Sequence, residues 1–434
     1  MRLGSALLAL ASGARAEPVS VEELERRVEE LESRSAASEA APGAAAGIAS
    51  ELADWAQYVR LGGSAEAGFF GGGSDSVTSH DQFEIWDTRL FVDAELGEEF
   101  RAFGHTLVRN IGLSFEWNLV RIGSLANEVG ELYAEFQGLG GSPWLDLRVG
   151  RFQLPVGESY LRYSRGRGHD FFVSTPLGGP WWWDEGVLLH GASPSGRLGY
   201  VASVSSGETP MNVDTGDGEQ YTLKLWTRPA AWLYLSASGL YGGEIGPATG
   251  ALWLGESWAR PFGSGSSLPN FVDGASVPDG PSSLDESWLA AADAVLSPAE
   301  GLRLWLGYGR YAIDAGGAPG YDRTLHYWIA ELLLEGQRIH PELAPAFAGF
   351  RADALGSYDR DRGYLLDGRY AETLGYNMES LTGYTALIGW RFGRHVRVRA
   401  EYSHRVIELV SGASALRPAS RDADAFAVEV GVRF

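Results

Sequence analysis

The stretch Phe426-Ala427-Val428-Glu429-Val430-Gly431-Val432-Arg433-Phe434 decides the fold. Successive side chains of an extended chain point to opposite faces, so Phe426, Val428, Val430, Val432 and Phe434 make one apolar face. Ala427, Glu429, Gly431 and Arg433 make the other. A soluble sheet buries such an apolar face, whereas a transmembrane β-barrel turns it to lipid and turns the polar face to its lumen. The preceding strand repeats the pattern: Val396, Val398, Ala400 and Tyr402 face out, leaving Arg397, Arg399, Glu401 and Arg405 inside. Near 85–97, Trp86, Leu90, Val92 and Leu96 alternate with Asp87, Arg89, Asp93 and Glu95. The same logic turns Glu116, Glu131, Glu135, Asp146, Arg148, Lys224, Arg228, Arg303, Glu429 and Arg433 inward. Unpaired buried ions cost too much for such a wall to be a packed core, so the expectation is a wet interior. For any single residue the other reading is an ion pair that only stabilises the wall.

From about Gln57 onward the chain reads as strands of 9 to 15 residues with period two, and the connections alternate in length. Segments 71–82, 119–128, 154–184, 206–219 and 242–284 are long, as are those near 318, 360–379 and 411–421. Segments 98–104, 138–143, 193–196 and 228–231 are short, as are turns near 298, 339 and 394. The parity gives an all-β transmembrane barrel of 16 antiparallel strands and eight long loops, with the short turns and both termini on the periplasmic side. Leu252, Leu254 and Trp258 could add a strand pair within 242–284, but Pro261 to Ser283 is rich in Pro, Gly and Ser and reads as loop.

Composition narrows the classes. The chain has no cysteine, so disulfides, thiolate metal sites and cysteine nucleophiles are excluded. No stretch of about 20 apolar residues can cross a bilayer as a helix. His190, His326 and His404 are accompanied by no G-x-S-x-G or HExxH pattern, and no C-x-x-C-H haem signature is present. No enzymatic activity, cofactor, metal or nucleic-acid partner is expected.

The beginning of the chain reads as an export segment. Arg2, the apolar Leu7, Leu8 and Leu10, and Ala14-Arg15-Ala16 fit a signal peptide over 1–16. Val21, Leu24, Val28 and Leu31 then form an a/d seam, predicting a periplasmic coiled-coil helix over 17–34. So short a helix is marginal alone, which points to association of copies in a homotrimer; a solvated charged helix is the plainer reading. Residues 35–54, rich in Ala, Ser and Gly, read as a flexible linker to a barrel over 55–434.

The third long loop, RFQLPVGESYLRYSRGRGHDFFVSTPLGGPWWWDEG, is too long and too aromatic for a solvated connector, and is expected to fold inward. It carries Arg162, Arg165 and Arg167, with Gly166 and Gly168 between and beyond them, beside His169. Guanidinium forks match the geometry of phosphate and carboxylate, so these arginines are candidate anion-binding groups at a constriction. Arg148, Lys224, Arg397, Arg399 and Arg405 on the wall join them as candidates. The plainer reading pairs the loop arginines with Asp170, Asp184 or Glu158 to pin the loop. Trp181, Trp182 and Trp183 fit an interfacial girdle or loop packing better than a sugar slide.

Gly150-Arg151-Phe152-Gln153-Leu154-Pro155-Val156-Gly157, then Gly186-Val187-Leu188-Leu189-His190-Gly191 and Gly196-Arg197-Leu198-Gly199-Tyr200, resemble the phosphate-selective porin O and P family. That family has G-[RK]-x-x-x-P-x-G and then G-x-x-x-x-G before a hairpin. The N-terminal coiled coil is similar to that of its trimeric relatives, and the terminal aromatic resembles the signal by which outer-membrane proteins are inserted. The resemblance implies a porin of the bacterial outer membrane, surrounded by its lipid, through which small anionic or polar solutes such as phosphate or carboxylates diffuse. It implies that the arginines of 162 to 167, and Lys224, conduct them. The departures are a single lysine and a net charge of −21. Acids such as Asp214, Asp217, Glu219, Asp359, Asp361 and Asp367 form an outer rim, whose repulsion fades beyond about 8 Å, so selectivity rests on the narrowest point. A sheath for an electron-transfer or other periplasmic partner, a non-selective or sugar channel, and a soluble sandwich with a Trp-lined sugar site are the competing readings.

Overall fold

The computed structural model describes residues 58–72, 82–97, 99–121, 124–142, 144–158, 172–174, 176, 183–206, 219–242, 286–314, 323–357, 364–365, 377–409 and 422–434. The expected signal peptide, coiled coil and linker lie outside these residues, as do Trp181, Trp182 and the region of Leu252 to Trp258.

The ring strands are β1 (Val59–Gly72), β2 (Gln82–Glu95), β3 (Asn110–Arg121), β4 (Ser124–Gln137), β5 (Asp146–Gln153), β6 (Trp183–Ala192), β7 (Leu198–Ser205) and β8 (Gln220–Ala230). They continue as β9 (Leu233–Gly242), β10 (Glu286–Ala299), β11 (Leu302–Asp314), β12 (Arg323–Glu335), β13 (Ala346–Ser357), β14 (Asn377–Phe392), β15 (Val396–Leu409) and β16 (Asp422–Arg433). Each pairs with its sequence neighbours, and the pairing of β1 with β16 closes the ring. The short strand Tyr364–Leu365 adds to the start of β14. Closure leaves the ring no unpaired edge, which is what lets a sheet stand in hydrocarbon.

The register reproduces the alternation of the last strand. Phe426, Val428, Val430, Val432 and Phe434 are exposed on the outer face, while Ala427 and Glu429 are buried within. On β15, Tyr402 is exposed, and Arg399, Glu401 and Arg405 are buried. Leu132, Val187, Leu223, Leu306, Leu332, Phe350 and Ile388 continue the apolar outer surface. An aromatic row lies toward the long-loop end of that surface: Tyr221 pairs with Tyr241 and Tyr241 with Trp288, Tyr308 with Trp328, and Tyr402 with Phe426. Such belts sit at the headgroup level of a bilayer.

Three connections differ from expectation. The segment after β2 is no tight turn: residues 96–109 carry a hairpin of their own, Phe100–Ala102 against His105–Val108, with Phe103 at its exposed tip. Conversely, β3 runs to Arg121 and β4 starts at Ser124, so no long loop separates them. The polar residues that read as loop are strand, accommodated by register shifts between Phe115/Trp117 and Asn118/Val120. Arg151 donates to the carbonyls of Val129 and Gly130 at 2.9 Å, supporting the irregular part of β4. The connection near 339 is longer than a turn as well, with residues 336–345 carrying the 3-10 segments Gly336–Arg338 and Pro341–Leu343, whereas that between β10 and β11 is tight: Gly301 takes φ 73°, a conformation glycine adopts without strain.

Candidate functional site in the lumen

Both described arms of the third loop pack inside the barrel. The outgoing arm, Leu154 to Glu158, is buried against β8 and β9. Lys224 Nζ donates to the Gly157 carbonyl at 2.6 Å and to Glu158 Oε1 at 2.7 Å. Ser236 Oγ donates to the same carboxylate at 3.0 Å, and the Gly157 amide donates to Ser238 Oγ at 2.8 Å. These three wall side chains share the inner face because Lys224 pairs in register with Ser238 and Trp226 with Ser236.

The returning arm, Phe172 to Ser174, lands far round the ring on β13–β16 and β1. Glu401 accepts the amides of Val173 at 2.6 Å and Ser174 at 3.0 Å. Arg399 donates to the Phe172 carbonyl at 2.8 Å, and Arg351 to Ser174 Oγ at 2.5 Å. Apolar contacts back these bonds: Val173 joins Phe70, Ala425 and Ala427, and Phe172 joins Phe347 and Leu387. The Phe172 ring rests over Gly349, where a Cβ would lie 2.8 Å from Cζ, and Arg351 covers the ring at 4.6 Å. The two described arms are thus fixed to different parts of the wall, the outgoing one to β8 and β9 and the returning one to β13–β16 and β1.

The wall candidates are ion-paired. Arg148 donates to Glu135 at 2.9 Å, beside His190 at 2.8 Å from the same oxygen. Arg397 pairs with Glu66, and Arg399 with Glu429 at 2.7 Å and Glu66 at 3.1 Å. Arg405 donates to Asp353 at 2.7 Å. The fold thus gathers Arg397 and Arg399 into one network and leaves Arg148 and Lys224 in others, while Arg162, Arg165 and Arg167 lie outside the described residues. Glu66, Glu331, Arg351 and Asp353 belong to the same inner surface and were missed from sequence. On β13 the outward residues are mostly alanines, Ala346, Ala348, Ala352 and Ala354, so its period of two carries little hydropathy contrast.

This changes the expectation of a uniformly wet wall. Where the loop arms rest, Lys224, Arg351, Asp353 and Glu429 are fully buried. Burial is tolerated because each cation meets a carboxylate; removing one partner of such a pair typically costs about 3–5 kcal/mol. Toward the short-turn end the charges open to solvent, as at Arg228, which stacks 5.5 Å from the Trp226 ring and 5.7 Å from that of Tyr234.

No family model matches the chain, and no curated protein matches it in sequence. Solved structures share its architecture. The anion-selective porin from Comamonas acidovorans superposes with a TM-score of 0.55 at 9% identity, over 87% of this chain and 99% of that one. The outer-membrane channel DcaP of Acinetobacter baumannii gives 0.53 at 12% identity, over 87% and 97%. OmpT of Vibrio cholerae, an outer-membrane protein solved in a trimer form, gives 0.52 at 11% identity, over 87% and 99%. The fold is that of the outer-membrane porins. An even-numbered antiparallel barrel with an apolar outer surface and an aromatic belt is built for the bacterial outer membrane, and that is where this protein resides.

Proposed function

We propose that the protein is a porin allowing passive diffusion of small hydrophilic solutes, narrowed by its third loop and preferring anions such as phosphate or carboxylates. The observation that carries this reading is the double anchoring of that loop, through Lys224 at one arm and Arg399, Arg351 and Glu401 at the other. With Arg148, Lys224, Arg397, Arg399 and Arg405 committed to carboxylates, anion preference falls to the loop arginines Arg162, Arg165 and Arg167, on the loop that follows the Gly150–Gly157 motif resembling the phosphate-selective porins. The trimer form of one structural neighbour and the coiled-coil seam at 17–34 together support a homotrimer. Reversal potentials in a planar bilayer under a salt gradient test the proposal. Anion preference that weakens when the three arginines are changed to Gln supports it; cation preference unaffected by those changes refutes it.

A further inference from the structure

On the outer face of β11, Tyr308 belongs to the aromatic row, and two residues nearer the long-loop end the same face carries Arg310. Arg310 is exposed and pairs in register with His326, which stands in the same relation to Trp328 on β12. Its guanidinium lies 5.6 Å from the ring centroid of Trp288 on β10, the next member of the row. A cation on the lipid-facing side is costly at the bilayer centre and cheap near the interface, so Arg310 must sit at headgroup depth, just beyond the belt. At the same level on β15 and β16 an acid is present: Asp424 Oδ1 lies 2.8 Å from His404 Nδ1 and accepts from Tyr402 Oη at 2.6 Å.

We propose that Arg310 and His326, framed by Trp288, Tyr308 and Trp328, bind the phosphate of a lipid in the outer leaflet, with the aromatic rings beneath them packing its acyl chains. Long loops face the cell exterior in bacterial barrels, so this end of the belt meets the outer leaflet. Charge complementarity selects the ligand: a guanidinium supplies a planar donor fork to a phosphate oxyanion, and its stacking on Trp288 holds that fork in place. A zwitterionic headgroup offers the same phosphate with an adjacent cation that Arg310 repels. The inference rests on the membrane placement and is independent of solute passage through the lumen.

Native mass spectrometry of the full chain in detergent, titrated with bisphosphorylated lipid A, its dephosphorylated form and inorganic phosphate, tests it. The expected result is retention of the bisphosphorylated lipid, weakened by about tenfold or more in Arg310→Gln and less in Arg310→Lys and His326→Gln. Arg228→Gln, at the opposite end and inside the lumen, should bind as the unaltered protein does. Equal retention of the dephosphorylated lipid would mean that the belt alone binds, and overturns the proposal. Displacement by equimolar inorganic phosphate overturns it as a lipid site. Should Arg310→Gln fail to fold, undiminished binding by His326→Gln together with Arg310→Lys overturns it equally. Conductance should be unchanged in the Arg310 and His326 variants, which separates this outcome from any failure of the porin reading.

Discussion

Lys224 and Glu158 meet at 2.7 Å inside the barrel, one from the wall and the other from the outgoing arm of the third loop. The only lysine of the chain is therefore a clasp on the loop. Lys224→Met leaves a buried carboxylate without its cation, and should lower stability by about 3–5 kcal/mol, read from urea unfolding in detergent. The same variant should raise single-channel conductance as the arm lifts. Adding Glu158→Gln should recover much of the lost stability without restoring the conductance.

The returning arm offers an independent test. Phe172→Ala removes the ring held by Phe347 and Leu387, and should cost about 3 kcal/mol while giving a larger, noisier single-channel current. Gly349→Ala presses on the same ring from the wall side and should act in the same direction more weakly, because the ring can shift.

Arg405 and Asp353 form a pair whose coupling a double-mutant cycle can measure. Arg405→Met and Asp353→Asn should be non-additive by about 0.5–3 kcal/mol in unfolding experiments. Gly383→Ala should mimic the loss of the pair, since its Cβ would collide with the Arg405 guanidinium.

Val430 lies midway along the outer face between Phe426 and Phe434. Val430→Arg should therefore cost about 2–4 kcal/mol in folding into lipid vesicles. Thr385→Val, on the inner face, adds no charge to hydrocarbon and should leave insertion efficiency intact, although it removes the Thr385–Ser403 hydrogen bond of 2.8 Å.

The barrel was legible because lipid and lumen impose opposite polarity on alternate residues, and the last two strands write that contrast in large side chains and full charges. It faded on β13, where alanines face lipid, and at Ser124 to Glu128, where polar strand residues imitate a loop. The strand count nevertheless survived, because a misplaced loop boundary leaves the number of reversals unchanged. The ion pairs were not legible. Arg397 and Glu66 are 331 residues apart and meet only through the ring closure, so no local spacing announces them. The inward packing of the third loop's two described arms was readable from the loop's length and aromatic content, whereas their anchors depend on which strands the ring brings to each arm.

The seam of the ring has a consequence for assembly. Gly63 and Phe434 exchange backbone hydrogen bonds at 3.0 and 3.1 Å, so the first strand waits for the last before the cylinder can seal. Every earlier intermediate carries two raw sheet edges, and contacts of such extreme sequence separation form late and slowly. Biogenesis must therefore shelter those edges until the final strand arrives, and a chain cut before Asp422 would reach the membrane with its first edge permanently unmatched.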